Sequence, residues 1–358
     1  MADARSPEGL RYINRILIVR LGSLGDIVHA LPVAAALRRA LPDARIDWVV
    51  DERHRELLDL VPVVDRRLVW RTHSAPAWRS APGLIAELRR ARYDAVLDLQ
   101  GLIKSAVLAR AAGGRRTIGL PRTHLREGAA SVFYSETARP PDAPHVVHVV
   151  ALNLSLAAAL GVKPDIWEFP LQAEPGAATA ADDVRQRLGL PDGGRYAVLN
   201  PGAAWPNKRW PPERFGAIAQ RLRVRHDLPV AVVWGPGEEA LAKAVTDVSG
   251  GTATVTGRTT LAGLVAVLRD AALLVSGDTG PLHLAAAVST PVVGIYGPTN
   301  PERNGPWAAD DLTVSRFHEC HCHHRRRCHA ARWCVGDISV EEVTRAVDDR
   351  LAAGAAHA

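Results

Sequence analysis

Asp26 lies in the stretch RLGSLGDIVHALP, which begins at Arg20. An apolar run ends here and helical spacing begins, so the carboxylate suits two roles. It can cap the helix by accepting N–H hydrogen bonds, or it can accept a proton as a general base. Ser23 offers another capping hydroxyl, and glycines at 22 and 25 leave room for a substrate. These neighbours favour the general base, the helix dipole counts against it by lowering the pKa of Asp26, and the helix cap stays open at this point.

The stretch VSGDTGPLHLAAA is the candidate anion site. A strand should end at Ser276, residues 277–280 should form the turn, and Pro281 suits the start of a helix. Free N–H groups at such a helix start attract anions. Asp278 would repel a phosphate, so we expect it to bond sugar hydroxyls or to cap the helix. His283 lies in the first turn and either faces the anion or is structural, and a capped helix without a ligand remains the alternative.

A cationic turn follows another apolar run in NPGAAWPNKRWPPERF. Lys208 and Arg209 stand between two tryptophans in a proline-rich loop that we expect to be exposed. Lys208 could neutralise a leaving phosphate or hold an anionic acceptor. The alternative is a solvated surface lysine. In WGPGEEALAK, Glu238 and Glu239 start a helix, where they either stabilise the helix dipole or accept hydrogen bonds from ribose.

Four cysteines lie in the segment FHECHCHHRRRCHAARWC. Cys320, Cys322, Cys328 and Cys334 have the spacing C-x-C-x5-C-x5-C, interleaved with histidines. Zinc ligation is possible chemistry for these residues, but paired C-x2-C spacing is absent. We therefore predict structural thiols, reduced or paired, and no metal.

Short apolar runs alternate with helical patterns along the chain, which indicates crossover units and parallel sheets. The predicted strands include RILIVRL, RIDWVVD, DAVLDLQ, RYAVLNPG, PVAVVWGPG, ALLVSG and PVVGIYG. The predicted helices include DIVHALPVAAALRRALP, APGLIAELRRARY, IKSAVLARAAGG, HVVHVVALNLSLAAALG, LAGLVAVLRDA, PLHLAAAVS and SVEEVTRAVDDRLAAG. Two α/β halves of similar size result, joined by a linker near residues 170–185, and ligands of such sheets bind at the carboxyl ends of the strands.

Length, charge and missing motifs exclude some classes of protein but do not identify one function. The chain has 358 residues, a formal net charge of +6 and a sequence pI of about 9.4. A basic excess favours anionic partners. Neither G-x-G-x-x-G nor a P-loop occurs, which argues against ordinary dinucleotide enzymes and P-loop NTPases. We find no signal peptide and no apolar run long enough to span a bilayer.

Together these stretches resemble the lipopolysaccharide heptosyltransferases, glycosyltransferase family 9, and heptosyltransferase I most of all. The stretches carrying the resemblance stand in family order and cover most of the chain: RLGSLGDIVHALP, DLQGLIKSAVLAR, REGAASVFYSE, NKRWPPERF, WGPGEE and VSGDTGPLHLAAA…VVGIYGPTNP. The chain departs from the family at Ala203 and Ala204, where hydroxyl residues are common, and at Thr259, where some members have methionine.

The resemblance implies an α/β protein of GT-B architecture, with two Rossmann-like domains whose parallel sheets face an interdomain cleft. Residues 1–172 would form the acceptor-binding domain and residues 173–358 the nucleotide-sugar-binding domain, with the last helix able to pack back on the first. The donor would be ADP-heptose, the acceptor Kdo-lipid A, and the transfer inverting, without metal or cofactor.

Site residues follow from the same resemblance. Asp26 would be the base and Lys208 would meet the phosphates or the Kdo side. The donor-binding residues would be Glu239 at the ribose, Thr259, Asp278 at the heptose hydroxyls, and Thr279, Gly280 and His283 at the pyrophosphate. The acceptor-binding residues would be Ser23, Gly25 and Arg126.

Two alternatives stay open at this point. The same fold could use another acceptor, such as core heptose, as heptosyltransferase II does. A protein of another class, a non-catalytic basic nucleic-acid binder, could use the Arg/His/Cys segment. We expect the enzyme, without nucleic acid, as a cytoplasmic monomer peripheral to the inner membrane.

Overall fold

The computed structural model describes residues 13–74, 76–142, 146–163, 165–174, 176–323, 325–326, 328 and 330–356. The chain divides into two compact units, one ending at Gln172 and the other beginning at Ala173. No helix among the described residues is long and apolar enough to cross a membrane.

The first unit is built on a parallel sheet with strand order β3-β2-β1-β4-β5-β6. Its strands are β1 (Arg15–Val19), β2 (Arg45–Asp51), β3 (Arg66–Trp70), β4 (Ala95–Asp98), β5 (Arg116–Gly119) and β6 (Glu136–Thr137). Its helices are α1 (Leu24–Val28), α2 (Leu31–Ala40), α3 (Arg55–Asp59), α4 (Ala77–Ala91), α5 (Ile103–Ala111) and α6 (Val149–Ala158). Short 3-10 turns lie at Glu52–His54, Arg122–His124 and Gly128–Phe133.

The second unit repeats this plan with strand order β12-β11-β10-β7-β8-β9. Its strands are β7 (Ala197–Asn200), β8 (Val230–Val232), β9 (Ala253–Val255), β10 (Leu273–Gly277), β11 (Val292–Tyr296) and β12 (Leu312–Ser315). Its helices are α7 (Ala178–Arg187), α8 (Pro212–His226), α9 (Glu239–Val248), α10 (Leu261–Arg269), α11 (Gly280–Ala287), α12 (Pro301–Asn304) and α13 (Val340–Ala356), with 3-10 turns at Pro206–Lys208 and Cys334–Asp337. Helix α13 packs against α8, β11 and β12.

The central strands are apolar because both faces of a parallel sheet are covered by helices. In β1 only Arg15 is exposed, and in β10 and β11 every residue is buried. These are the strands that the sequence predicts. Strands β3, β5, β9 and β12 are short, partly exposed and lack that apolar signal.

The helix predicted over residues 26–42 is wrong as a single element. Helix α1 ends at Val28, and α2 begins at Leu31 with Pro32 in its first turn. Proline has no N–H to donate to the carbonyl of Val28 and its ring clashes there, so the helix breaks and restarts. The linker prediction needs a smaller correction, because α7 begins at Ala178, inside residues 170–185.

Both sheets have a topological switch point, where the chain reverses the direction in which strands are added. These points lie between β1 and β4 and between β7 and β10. Ligands of open α/β sheets bind outside the carboxyl ends of the strands at such points. Residues 20–26 and 99–102 meet at the first switch point, and residues 200–209 and 278–280 lie at the second.

Candidate active site

Asp26 occupies the third position of α1 and closes a capping box with Ser23. Its Oδ2 accepts the backbone N–H of Ser23 at 2.9 Å and the Ser23 hydroxyl at 3.0 Å. Its Oδ1 lies 2.7 Å from the guanidinium of Arg20. The Asp26 side chain is nevertheless 40% exposed, whereas that of Arg20 is 8% exposed. The carboxylate therefore caps its helix and is still open to solvent, so the cap that we weighed as an alternative coexists with a possible catalytic role.

Residues that follow β4 hold the Asp26 turn in place. The Gln100 side-chain oxygen accepts the N–H groups of Leu21 at 3.0 Å and Gly22 at 3.3 Å. Arg20 donates to the Leu99 carbonyl, and its own carbonyl accepts the indole N–H of Trp48 at 3.0 Å. The turn is thus tied to neighbouring strands on both sides. Gln100 is not recognisable as a site residue from sequence, because its partners lie about eighty residues away along the chain.

Gly22 makes room for a protein side chain and not for a substrate, contrary to our expectation. A Cβ atom at Gly22 would lie 2.6 Å from Cδ2 of His54, so the imidazole packs directly on this backbone. Burial, followed by the charge of Arg53, lowers the pKa of His54. A neutral imidazole therefore lies beside the Asp26 turn near neutral pH, at a residue that sequence reasoning missed.

Asp98 ends β4 as a buried, fully hydrogen-bonded carboxylate. It accepts the N–H groups of Gln100 and Gly101 at 3.0 and 3.3 Å, the Ser105 hydroxyl at 3.0 Å and the Tyr134 hydroxyl at 2.9 Å. Burial outweighs these hydrogen bonds and raises the pKa of Asp98 to about 6. This network fixes the loop that presents Gln100 to the Asp26 turn.

The raised pKa of Asp98 predicts a pH-dependent loss of stability. Folding favours protonated Asp98, so its contribution is complete below the unfolded pKa of 3.8 and is lost as pH rises through about 6. The difference corresponds to roughly 3 kcal/mol. Asp98→Asn should lack this component. We expect the free energy of unfolding of the variant, relative to wild type, to improve between about pH 4 and pH 7 in urea titrations, and a pH-independent difference would contradict the assignment.

The remaining predicted acceptor residues lie in different surroundings within the first unit. Ser23 is exposed and bonded to Asp26, whereas Gly25 is buried inside α1. Arg126 is exposed between two 3-10 turns and precedes Glu127, whose carboxylate accepts the Ile103 N–H at 2.7 Å. Through its neighbour Glu127, Arg126 is held near the start of α5. That helix follows the loop that carries Gln100.

Lys208 and Asp278 form the centre of the polar cluster at the second switch point. The Lys208 ammonium lies 2.5 Å from Asp278 Oδ2, and the Thr299 hydroxyl donates to the same oxygen at 2.6 Å. His283 Nε2 lies 3.1 Å from Asp278 Oδ1. The Lys208 ammonium also stands 4.6 Å from the ring centre of Trp205. Three elements thus converge on one buried carboxylate, and Thr299 is a member that the sequence analysis missed.

This cluster corrects two expectations. The Lys208 side chain is only 15% exposed, so it is not an exposed loop lysine. Asp278 does not cap α11, whose N-cap residue is Thr279. Although burial opposes it, the Lys208 charge and His283 hold the pKa of Asp278 well below its usual range. Asp278 is therefore ionised, and His283 lies buried against it.

Thr279 and Gly280 present the start of α11 at the same place. The Thr279 hydroxyl makes no capping bond to the first turn of the helix. It lies 3.0 Å from the Asn200 amide nitrogen and 3.3 Å from the Gly277 carbonyl oxygen. Pro281 in the first turn has no N–H group. The helix start is therefore not covered by its own cap residue, and the Lys208 ammonium lies close by, 3.4 Å from the Asp278 carbonyl oxygen.

Glu238 and Glu239 have separate roles at the start of α9. Glu239, our expected ribose ligand, is exposed in the first turn. Glu238 turns back and accepts the Gly235 N–H at 3.2 Å. A Cβ atom at Gly202 would lie 2.1 Å from its carboxylate, so Glu238 fills the space beside that glycine. Thr259 is half-buried and precedes Thr260, which caps α10.

The cysteine segment braces the lysine loop. Cys320 and Cys322 are buried with their sulfurs 3.4 Å apart, and all four cysteines are free thiols. The Asn207 amide donates to Cys322 Sγ at 3.7 Å and to the Arg325 carbonyl at 3.0 Å. No group of three or more His, Cys, Asp or Glu in the described part of the chain is arranged to hold a metal. His324 and His329 lie outside that part, and the absence of a metal stays a prediction.

Comparison with known proteins identifies the family of the chain. Residues 83–333 match glycosyltransferase family 9 (heptosyltransferase). The chain is 31% identical to lipopolysaccharide heptosyltransferase 1 of Pseudomonas aeruginosa over 316 residues, 86% of this chain and 85% of that protein. It is 33% identical to the protein of that name from Escherichia coli K12 over 318 residues, 83% of this chain and 92% of the relative.

A solved structure extends the similarity to the fold. The E. coli heptosyltransferase WaaC with ADP has a TM-score of 0.73 and 27% sequence identity, covering 96% of this chain and 100% of that one. The expected GT-B fold with two parallel sheets is thereby confirmed, whereas the facing of the two sheets across a cleft stays a prediction. The family match and the sequence identity together establish that this chain belongs to glycosyltransferase family 9, the heptosyltransferases.

Proposed function

We propose that the protein transfers L-glycero-D-manno-heptose from ADP-heptose to the Kdo of lipid A, with inversion at the anomeric carbon. The observation that carries this proposal is the pair of polar centres at the two switch points. One is a solvent-open carboxylate, Asp26, and the other is the Lys208–Asp278 cluster beside a helix start. The similarity to heptosyltransferase 1 proteins supports the choice of sugar and acceptor.

The second unit would bind the donor. The diphosphate would lie at the start of α11, where the backbone of Thr279 and Gly280 and the helix dipole favour negative charge. Lys208 would shift part of its interaction from Asp278 to the leaving phosphate and stabilise its developing charge. Asp278 would accept hydrogen bonds from heptose hydroxyls. His283 would hold the Asp278 carboxylate in position through its contact with Oδ1. Glu239 would meet the ribose, and Thr259 would lie near the adenine.

The first unit would bind the acceptor, with Ser23, Gly25 and Arg126 around Asp26. The acceptor hydroxyl attacks the anomeric carbon from the face opposite ADP and passes its proton to the Asp26 carboxylate. A carbon–oxygen bond to the acceptor forms while the bond to the β-phosphate breaks. ADP leaves with that electron pair, so neither a metal nor a redox cofactor is required by the atom balance.

The setting of this reaction is also proposed. The acceptor is anchored in a membrane, so the protein would work as a monomer at the cytoplasmic face of the inner membrane, peripherally bound. The chain has a sequence pI of about 9.4, which favours approach to anionic lipid.

Mass spectrometry of the reaction product tests the proposed function. Purified protein, ADP-heptose and Kdo-lipid A should yield ADP and a lipid heavier by one heptose, at an unchanged rate in the presence of a chelator. A product formed only on an acceptor that already carries heptose would assign a later step of core assembly. No transfer to either acceptor, with intact donor, would refute the proposal.

A further inference from the structure

Three exposed apolar side chains lie on two neighbouring elements of the first unit, apart from the residues assigned to the chemistry. Val132 is 76% exposed, and Ile103 and Val107 are each 42% exposed. Ile103 and Val107 stand one turn apart on α5, so they share a face. The 3-10 turn that carries Val132 packs against α5. We name these three side chains the apolar patch.

Positive charge surrounds the apolar patch. The basic residues of segments 102–111 and 122–133, which carry the patch, are Lys104, Arg110, Arg122, His124 and Arg126, and all are exposed. The acidic residue of these segments is Glu127, whose carboxylate accepts the Ile103 N–H at 2.7 Å. The four lysine and arginine side chains therefore give this surface a net positive charge.

Ile103, at the start of α5, places one end of the apolar patch at the same edge of the sheet as Asp26. Strand β4 ends at Asp98, and the loop that follows it, residues 99–102, leads directly into α5 at Ile103. Gln100 in that loop accepts the N–H groups of Leu21 and Gly22 in the Asp26 turn. A partner surface that binds the apolar patch would therefore hold its molecules close to the Asp26 carboxylate.

We propose that the apolar patch and its four cations form a docking surface for an anionic lipid bilayer. Aliphatic side chains of this kind insert at the boundary between headgroups and acyl chains. Lysine and arginine beside them attract anionic headgroups, each by a factor of about five in affinity. Phosphate is common to lipid and nucleic acid, whereas exposed aliphatic side chains gain most from an acyl-chain region, so their presence favours a bilayer. The inference rests on the proposed function only in placing the acceptor in that bilayer.

Val224 provides a matched control in the second unit. It is 84% exposed on α8 and stands between Arg223 and Arg225. These arginines are paired, Arg223 with Asp227 at 2.7 Å and Arg225 with Asp348 at 3.7 Å. Val224 is therefore an exposed valine among arginines whose charge is compensated, so it should not contribute to binding anionic lipid.

Vesicle co-sedimentation tests the docking surface directly. Wild-type protein should bind vesicles containing phosphatidylglycerol, bind phosphatidylcholine vesicles weakly, and dissociate as salt is raised. Val132→Glu and Val107→Glu should each weaken binding at least about tenfold, and Lys104→Ala about fivefold. Val224→Glu should bind like wild type. Transfer to a water-soluble, deacylated Kdo acceptor should be unchanged in Val132→Glu, whereas transfer to an acceptor embedded in vesicles should fall.

Two results with the variants would overturn the docking surface. One is wild-type vesicle affinity in Val132→Glu and Val107→Glu, and the other is an equal loss of affinity in Val224→Glu. Vesicle binding is measured without donor, so its outcome is independent of the product assay. If the wild-type protein binds vesicles but transfers no heptose, the result counts against the proposed function. If the wild-type protein forms product but does not bind vesicles, the result counts against the docking surface alone.

Discussion

Replacing Asp26 by Asn is expected to lower the turnover number about 10²–10⁴-fold, the usual contribution of a general base. Asparagine has nearly the same shape and can still accept the Ser23 N–H, which Asp26 accepts at 2.9 Å, but it cannot take a proton. Donor affinity should stay unchanged, because Asp26 lies in the first unit and the proposed donor site in the second. Steady-state kinetics and calorimetric titration with ADP measure the two quantities.

Asp65 offers a close control for the structural part of this substitution. Its side chain is 42% exposed, lies 2.6 Å from the Arg38 guanidinium and accepts the Ile46 N–H at 2.7 Å. Asp26 has almost the same exposure and partners, with its arginine at 2.7 Å. Asp65 precedes β3 and thus lies at the amino edge of the sheet. Asp65→Asn should lower stability about as much as Asp26→Asn and leave turnover unchanged.

The comparison of these two variants decides the role of Asp26. Near-wild-type turnover in Asp26→Asn would make the residue a helix cap and would place the base elsewhere. An equal loss of turnover in Asp65→Asn would indicate that lost stability, and not lost proton transfer, lowers the rate.

Lys208→Ala is expected to lower turnover about 10–150-fold, since a charge-assisted hydrogen bond contributes about 1.5–3 kcal/mol. The buried position of Lys208 adds a second effect. Removing its ammonium leaves Asp278 as a buried carboxylate without its closest cation, which should lower the free energy of unfolding by up to about 3–5 kcal/mol. An exposed loop lysine, which we expected from the sequence, would have left the fold unaffected by this substitution. Assays belong at a temperature where circular dichroism shows the variant to be folded.

Lys243→Ala is the control for Lys208→Ala. Lys243 lies in the same unit, is 70% exposed and pairs with Asp247 at 2.8 Å across one helical turn. Exposed pairs of this kind contribute little, so both stability and turnover should remain near wild type. If Lys208→Ala kept wild-type turnover and wild-type affinity for ADP, Lys208 would not belong to the site.

Local sequence patterns predicted which residues belong to the candidate site better than they predicted which side chains those residues contact. Asp26, Lys208 and Asp278 were all found from polar residues that follow apolar runs, and the structure places them at switch points. Their partners could not be found this way. Thr299 and His54 have no unusual neighbours in sequence, and they reach the site because β11 and β2 flank the central strands.

The sequence by itself determined the alternation of strands and helices, the two-unit plan and the family, because apolar runs, glycine turns and motifs are local properties of the chain. Tertiary structure decided which groups meet. Asp278 receives Lys208 from seventy residues earlier and Thr299 from twenty-one residues later, and only strand order brings such residues together. Burial was decided in the same way. Lys208 is hidden and Val132 is exposed, because the exposure of a side chain depends on what packs around it and not on its own polarity.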